Sequence, residues 1–137
     1  MTVPVAGVGF QVGDGRVGEL ETGVMTTPQT ATSTATLTAA QILGGTLVGD
    51  PSSSAATYTL PTVALLEAAL PNTKVNQTFD LRVINLGTSS GIITMAVGTG
   101  WTIVGMATLP ITTSAGSSGH FRARKTAAGA WTLYRIS

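Results

Sequence analysis

Residues 78–85 read Thr78-Phe79-Asp80-Leu81-Arg82-Val83-Ile84-Asn85, and this stretch decides the fold class. In an extended chain successive side chains point to opposite faces, so Phe79, Leu81 and Val83 project one way and Asp80, Arg82 and Ile84 the other. One face is dry and the other partly polar, the pattern of a strand that covers a core on one side only. Asp80 and Arg82 share the wet face and read as a same-face ion pair.

Toward the C-terminus the same alternation recurs in short bursts. Asn85-Leu86-Gly87-Thr88-Ser89-Ser90-Gly91 turns the chain, and Ile92–Val97 and Trp101–Val104 follow, joined by Gly98-Thr99-Gly100 as a compact hairpin connection. Residues 107–113 form a further strand candidate interrupted at Pro110. His120–Lys125 and Trp131–Ile136 make a last pair, with His120, Arg122 and Arg124 on one face opposite Phe121 and Ala123. Toward the N-terminus, Ala56–Leu60, Thr46–Val48 and Ala35–Thr38 are strand candidates, and Ala39–Leu43 can form one helical turn closed by Gly44-Gly45. One helix is expected between them. Thr62 caps it, Val63, Leu66 and Leu70 repeat at helical spacing with Leu65 and Ala69 widening the stripe, Glu67 faces water, and Pro71 ends it.

About eight short strands at close spacing with one short helix predict an all-β domain, a jelly-roll-like β-sandwich, over residues 35–137. Residues 1–34 read differently. Their glycine density weakens both helix and strand, yet Val3, Val5, Val8, Phe10, Val12, Val17 and Leu20 recur along them. An extended N-terminal arm that a partner orders is the expectation, with a reach of roughly 110 Å if fully drawn out.

Composition narrows the function classes. Hydrophobic residues make up 43% of the chain, enough for a core, while charged residues make up 9% against a usual figure of about 25%. A surface this neutral is either a threonine-rich sheet exposed to water or a surface covered by partner subunits. A net charge of +1 sets up no general field toward nucleic acid. Arg122, Arg124 and Lys125 nevertheless cluster near the C-terminus as a basic patch, which serves as a solvated strand face or a docking patch. The uncharged run from Val83 to Gly119 is broken too often by Gly, Ser, Asn and Pro to be a membrane helix. Met1-Thr2-Val3-Pro4 does not open a secretory signal, so the Asn76-Gln77-Thr78 sequon carries no expectation of glycosylation.

Catalysis is hard to build from these residues. There is no cysteine, so thiol chemistry and Cys-based zinc sites are excluded, and a Ser–His–Asp site would have to recruit His120, the one histidine, without a GxSxG elbow. No carboxylate pair of the glycosidase kind is recognisable. Gly13-Asp14-Gly15-Arg16-Val17-Gly18 matches GxGxxG, but no strand–helix context surrounds it, and it reads as a flexible turn. No catalytic residue, metal ligand or cofactor is expected. Tyr58, Trp101, Trp131 and Tyr134 are core or subunit-interface aromatics; exposed on loops, they would stack on sugars.

The run Thr38-Ala39-Ala40-Gln41-Ile42-Leu43-Gly44-Gly45, then Tyr58-Thr59-Leu60-Pro61-Thr62, Leu65-Leu66, Ala68-Ala69-Leu70-Pro71-Asn72, Phe79-Asp80-Leu81 and Val83-Ile84-Asn85 has a further meaning as a whole. With Gly98-Thr99-Gly100-Trp101-Thr102, Phe121-Arg122-Ala123-Arg124 and Tyr134, it resembles the capsid decoration (cement) proteins and head-fibre domains of tailed bacteriophages. The likeness covers about 35–137; the arm matches no pattern of that family. The resemblance implies a jelly-roll-like domain, usually a homotrimer, assembled in the host cytoplasm and bound to the outer capsid surface of the virion. There it would clamp neighbouring major capsid proteins, without nucleic acid or membrane as a partner. The alternative reading is an adhesive head-fibre module that binds a host glycan.

Overall fold

The structure, a computed structural model, describes residues 23–111 and 117–137. Their elements in chain order are β1 (Gln29–Ala31), β2 (Ala35–Thr36), α1 (Ala39–Leu43), β3 (Thr46–Gly49), β4 (Ala56–Thr59), α2 (Val63–Ala69), β5 (Thr78–Asn85), β6 (Ile93–Ala96), β7 (Trp101–Val104), β8 (Thr108–Leu109), β9 (Ser117–Ala127) and β10 (Ala130–Arg135). The chain is mostly β, in two sheets. One has six strands in the order β1-β3-β5-β9-β10-β7, the other four in the order β2-β4-β6-β8.

From β1 to β8 each strand crosses to the sheet opposite its predecessor. Four neighbouring pairs are therefore two apart in sequence and run parallel: β1 with β3, β3 with β5, β2 with β4, β4 with β6. β7 also lies parallel to β10, while β5–β9, β9–β10 and β6–β8 are antiparallel. A jelly roll is an antiparallel architecture. The two-sheet sandwich expected from sequence is present, but its strands wind alternately between layers. Gly98-Thr99-Gly100 is accordingly no hairpin: it carries the chain from β6 in one sheet to β7 in the other. It is seated against the preceding crossover, where Leu60 N–H donates to Ala96 O (2.9 Å) and Val63 N–H to Thr99 O (2.9 Å). A Cβ on Gly98 would strike the carbonyl oxygens of Leu60 and Pro61, so only glycine lets the two crossovers touch. The β9–β10 hairpin turns at Ala128-Gly129, with Gly129 at φ 72° and a register shift between Ala130 and Trp131.

The expected domain boundary moves. Residues 29–31, placed by sequence in the arm, form β1 at the edge of the six-stranded sheet. Ala31 is a core residue, and its carbonyl accepts from the buried Tyr58 hydroxyl at 2.9 Å. Residues 1–22 of the expected arm lie outside the described residues.

The core between the layers draws Leu47, Leu81, Val83, Phe121, Ala123, Trp131 and Leu133 from the larger sheet and Tyr58, Ile93, Met95 and Leu109 from the smaller. The helices lie in crossovers and close the space between the layers with Ile42, Val63 and Leu66. α1 opens with a capping box: Thr38 Oγ1 accepts from Gln41 N–H (3.2 Å) and Gln41 Oε1 accepts from Thr38 N–H (2.8 Å). In α2 the Thr62 cap and the Val63–Leu66 stripe are present, but seven residues turn Leu65 outward, 60% exposed.

Asn85, at the end of β5, is the one polar residue in the interior among the described residues. Its Nδ2 donates to Gly91 O (2.9 Å) and to Leu109 O (3.1 Å), and its Oδ1 accepts from Gly87 N–H (2.8 Å). One amide thus fastens the 86–92 loop and links a strand of the larger sheet to β8 of the smaller.

Candidate functional site

Alternation along β5 and β9 sends Leu81, Val83, Phe121 and Ala123 inward, so Asp80, Arg82, His120, Arg122 and Arg124 stand on the outer face of the six-stranded sheet. Antiparallel register sets Asp80 opposite Arg122 and Arg82 opposite His120. Asp80 pairs across the strands, not along its own: Arg122 Nε donates to Oδ1 at 2.7 Å and Nη2 to Oδ2 at 3.0 Å, a two-point fork. His120 Nε2 lies 3.1 Å from the same Oδ2. The expected Asp80–Arg82 pair is therefore corrected, because a directly opposite strand partner is closer than a residue two positions along the chain. The Arg122 hydrogen bonds, aided by His120, hold the Asp80 carboxyl at about 2. Arg124 donates from Nη1 to Asn76 Oδ1 (2.8 Å) and from Nη2 to the Tyr134 hydroxyl (3.0 Å).

The three cations expected as one basic patch do not share a surface. Lys125 has the inward parity of Phe121 and Ala123 and reaches the end of the sandwich, where Nζ meets Glu67 Oε1 at 3.1 Å and donates to Thr73 O at 3.0 Å. The same Glu67 oxygen accepts from Trp131 Nε1 (3.2 Å) and Gly129 N–H (3.1 Å). Glu67, expected in water, instead ties α2 to the β9–β10 hairpin. The lysine bond, with smaller donations from Gly129 and Trp131, holds its carboxyl below the usual range.

Three of the four singled-out aromatics are core. Tyr58 is fully buried; burial, then the Asp50 charge, pushes its phenol up, so it stays a donor to Ala31. Trp101 donates from Nε1 to Pro61 O at 2.8 Å, and Trp131 packs on Phe79 and Trp101 at centroid distances of 5.6 and 6.0 Å. Tyr134 alone is at the surface, half-buried beside Arg124. Val3, Val5, Val8, Phe10, Val12, Val17 and Leu20 lie outside the described residues.

The chemistry this face supports is recognition by charge and hydrogen bonding. His120 and Asp80 meet, but Arg122 already holds that carboxylate by two points, and the ion pair of the face is Asp80–Arg122. Among the described residues no three His, Asp or Glu side chains converge to hold a metal, and no helix is long and apolar enough to cross a membrane. A groove of about 380 Å3 runs over the sheet between Met25, Thr46, Val48, Arg82, Ile84 and His120.

The opposite surface of the molecule differs. Along the four-stranded sheet, inward Tyr58, Ile93, Met95 and Leu109 leave Thr36, Thr57, Thr59, Thr94, Ala96 and Thr108 outside. Register lines up Thr57, Thr94 and Thr108 in one row and Thr36, Thr59 and Ala96 in the next. No charged residue stands in any strand of this sheet. No family model matches the chain, and neither does any curated protein or solved structure compared with it.

Proposed function

We propose that this chain is a structural virion protein that decorates the outer surface of a phage capsid and stabilises it by clamping neighbouring major capsid proteins. It acts as a symmetric oligomer, a homotrimer by its resemblance, and not as an enzyme. The observation that carries the reading is the threonine–alanine face of the four-stranded sheet. A soluble monomer ordinarily spreads charges over such a face to stay apart from its neighbours. An ordered, charge-free face loses little on leaving water, because each hydroxyl can exchange a water for a partner's carbonyl or hydroxyl. The apolar residues from Val3 to Leu20 support the reading from the sequence side: an extended segment of this kind adds itself to a neighbour's sheet edge.

The adhesive alternative requires aromatic platforms for a sugar. Tyr58, Trp101 and Trp131 are in the core, which leaves the first reading the stronger.

Removal of residues 1–22, followed by measurement of the copies bound per capsid after mixing with undecorated particles, tests the anchoring. Occupancy should fall sharply. Full occupancy by the shortened chain would remove the segment from the docking mechanism. A Thr57→Lys/Thr94→Lys variant tests the sheet face in the same assay and by light scattering of the isolated chain. If assembly and capsid binding both persist, the face is not an interface.

A further inference from the structure

Three of the four half-buried apolar residues that pack against the core, Leu43, Leu70 and Phe79, come together at one end of the sandwich, where α1 and α2 finish and β5 begins. They line a recess of about 410 Å3, within the roughly 300–1,000 Å3 of small-molecule sites. The buried Trp131 lies behind Phe79, with ring centroids 5.6 Å apart. A second recess, of about 350 Å3, adjoins the first and shares Leu70, Thr73 and Gln77 with it. No charged side chain lines either one, whereas Arg82 lines both recesses over the outer face of the six-stranded sheet.

The segment that rims these recesses, residues 70–78, is held in place by the domain itself. Thr73 N–H donates to Leu70 O (3.2 Å), Gln77 N–H to Lys74 O (3.1 Å) and Asn76 N–H to Lys125 O (2.9 Å), while Gln77 O accepts from Lys125 N–H (3.1 Å). Lys125 Nζ donates to Thr73 O at 3.0 Å. With these backbone groups committed, the segment offers no edge for a peptide strand to extend. Its side chains are oriented by the same means. Asn76 Oδ1 accepts from Arg124 Nη1 (2.8 Å) and Gln77 Oε1 from Lys74 N–H (2.8 Å), so the NH2 end of each amide is the donor it presents to a ligand. Thr73 and Thr78 add hydroxyls to the lining. Asn76 stands at φ 72°, a left-handed conformation that asparagine tolerates and that these bonds sustain.

We infer that this end of the sandwich is a binding site for a neutral pyranose sugar. Phe79, Leu43 and Leu70 supply apolar surface for the C–H face of the ring. The amide donors of Asn76 and Gln77 and the hydroxyls of Thr73 and Thr78 meet its oxygens. A lining without charge gives an ionic ligand no counter-charge, which selects for a neutral one. The adjoining recess, sharing Thr73 and Gln77, receives a second sugar unit. The site rests on Phe79, at the margin of the core, and needs no aromatic side chain on an exposed loop. It belongs to the isolated chain and stands independently of any capsid.

NMR of the isotopically labelled full-length chain, titrated separately with cellobiose, maltose, lactose and N,N′-diacetylchitobiose, tests the inference. At least one of these should bind saturably, in about the millimolar range, and shift the side-chain amides of Asn76 and Gln77 together with backbone amides of residues 70–79. Asn76→Asp/Gln77→Glu keeps both internal acceptors, for Arg124 and for Lys74 N–H, but replaces the two donors by carboxylate oxygens; binding should weaken about tenfold or more. Phe79→Leu keeps an apolar side chain and removes the ring, and should also weaken binding about tenfold. Urea titration of each variant separates loss of binding from loss of fold. No saturable shift with any of these sugars, shifts centred on other residues, or an affinity unchanged in the folded variants would each overturn the inference.

Discussion

Replacing Asn85 by alanine should be among the most costly single changes in the protein. The side chain makes three hydrogen bonds in a fully buried setting, two as donor to the carbonyls of Gly91 and Leu109 and one as acceptor from Gly87. Alanine removes all three of these buried bonds. A buried polar group deprived of its partner costs about 1–3 kcal/mol, so the sum is about 3–5 kcal/mol after allowing for partial relaxation and water entry. A domain of this size has about 5–15 kcal/mol of stability in all, so the variant should unfold at markedly lower denaturant. Urea titration at fixed protein concentration, read by the fluorescence of buried Trp101 and Trp131, measures the change. Asn85→Asp sharpens the test. It keeps an acceptor for Gly87 but turns a carboxylate toward two carbonyl oxygens, which raises the acid's folded-state pKa above its unfolded value. The sign follows: this variant gains stability as pH falls and loses it as pH rises through that raised pKa, whereas the alanine variant shows no such added dependence. A loss under about 1 kcal/mol for Asn85→Ala, or an Asn85→Asp variant without acid rescue, would refute the claim that this amide links the two layers.

Other outcomes follow from the same contacts. Asp80 has a folded-state pKa of about 2 against about 3.9 unfolded, so its contribution is fully present above the unfolded value and is lost as pH falls through the folded one. With the side chain 39% exposed, screening reduces that contribution to about 1 kcal/mol, and Asp80→Asn should remove this part of the acid sensitivity between about pH 4 and 2 in stability–pH curves. Gly98→Ala should destabilise by about 2 kcal/mol or more, since its methyl meets fixed backbone carbonyls; a thermal melt matching the parent would show that the crossovers can part. Tyr58→Phe should cost about 1 kcal/mol and speed amide exchange in β1, because the Ala31 carbonyl loses one of its two donors and is held by Asp50 N–H (2.9 Å) alone; unchanged protection there would disconnect Tyr58 from the edge strand.

The local features were legible where they depend on near neighbours in the chain. The alternation of residues 78–85 marks β5, Trp101–Val104 was read to the residue, and Thr62 and Pro71 bracket α2. The turn of α1 over Ala39–Leu43 was read, while its capping box, Thr38 with Gln41 three residues later, was missed although it is local. What could not be read depends on which strands become neighbours. Gly98-Thr99-Gly100 has the length of a hairpin loop, and only packing against Leu60–Val63 tells that it changes layers. Asp80 has Arg82 two residues away in sequence, yet its partner is 42 residues away. Glu67 looks solvent-facing on a helical projection because the projection cannot include Lys125 and Trp131 arriving from the last hairpin. The basic patch failed for a related reason: Lys125 follows Arg124 directly, and adjacent residues on a strand face opposite ways.

The alternation of strands between layers also governs how the chain must fold. Neither sheet can be built from one contiguous stretch, because each strand from β1 to β8 is followed by one belonging to the other layer. The single directly connected strand pair is β9–β10, and its main partner β5 is some forty residues upstream. Loop-closure entropy must be met before most pairings return any free energy, which places the domain among high-contact-order folds that form in about milliseconds to seconds. Truncation from either end removes strands before both layers are complete, so the β-domain is expected to appear all at once and late, after the last hairpin has left the ribosome.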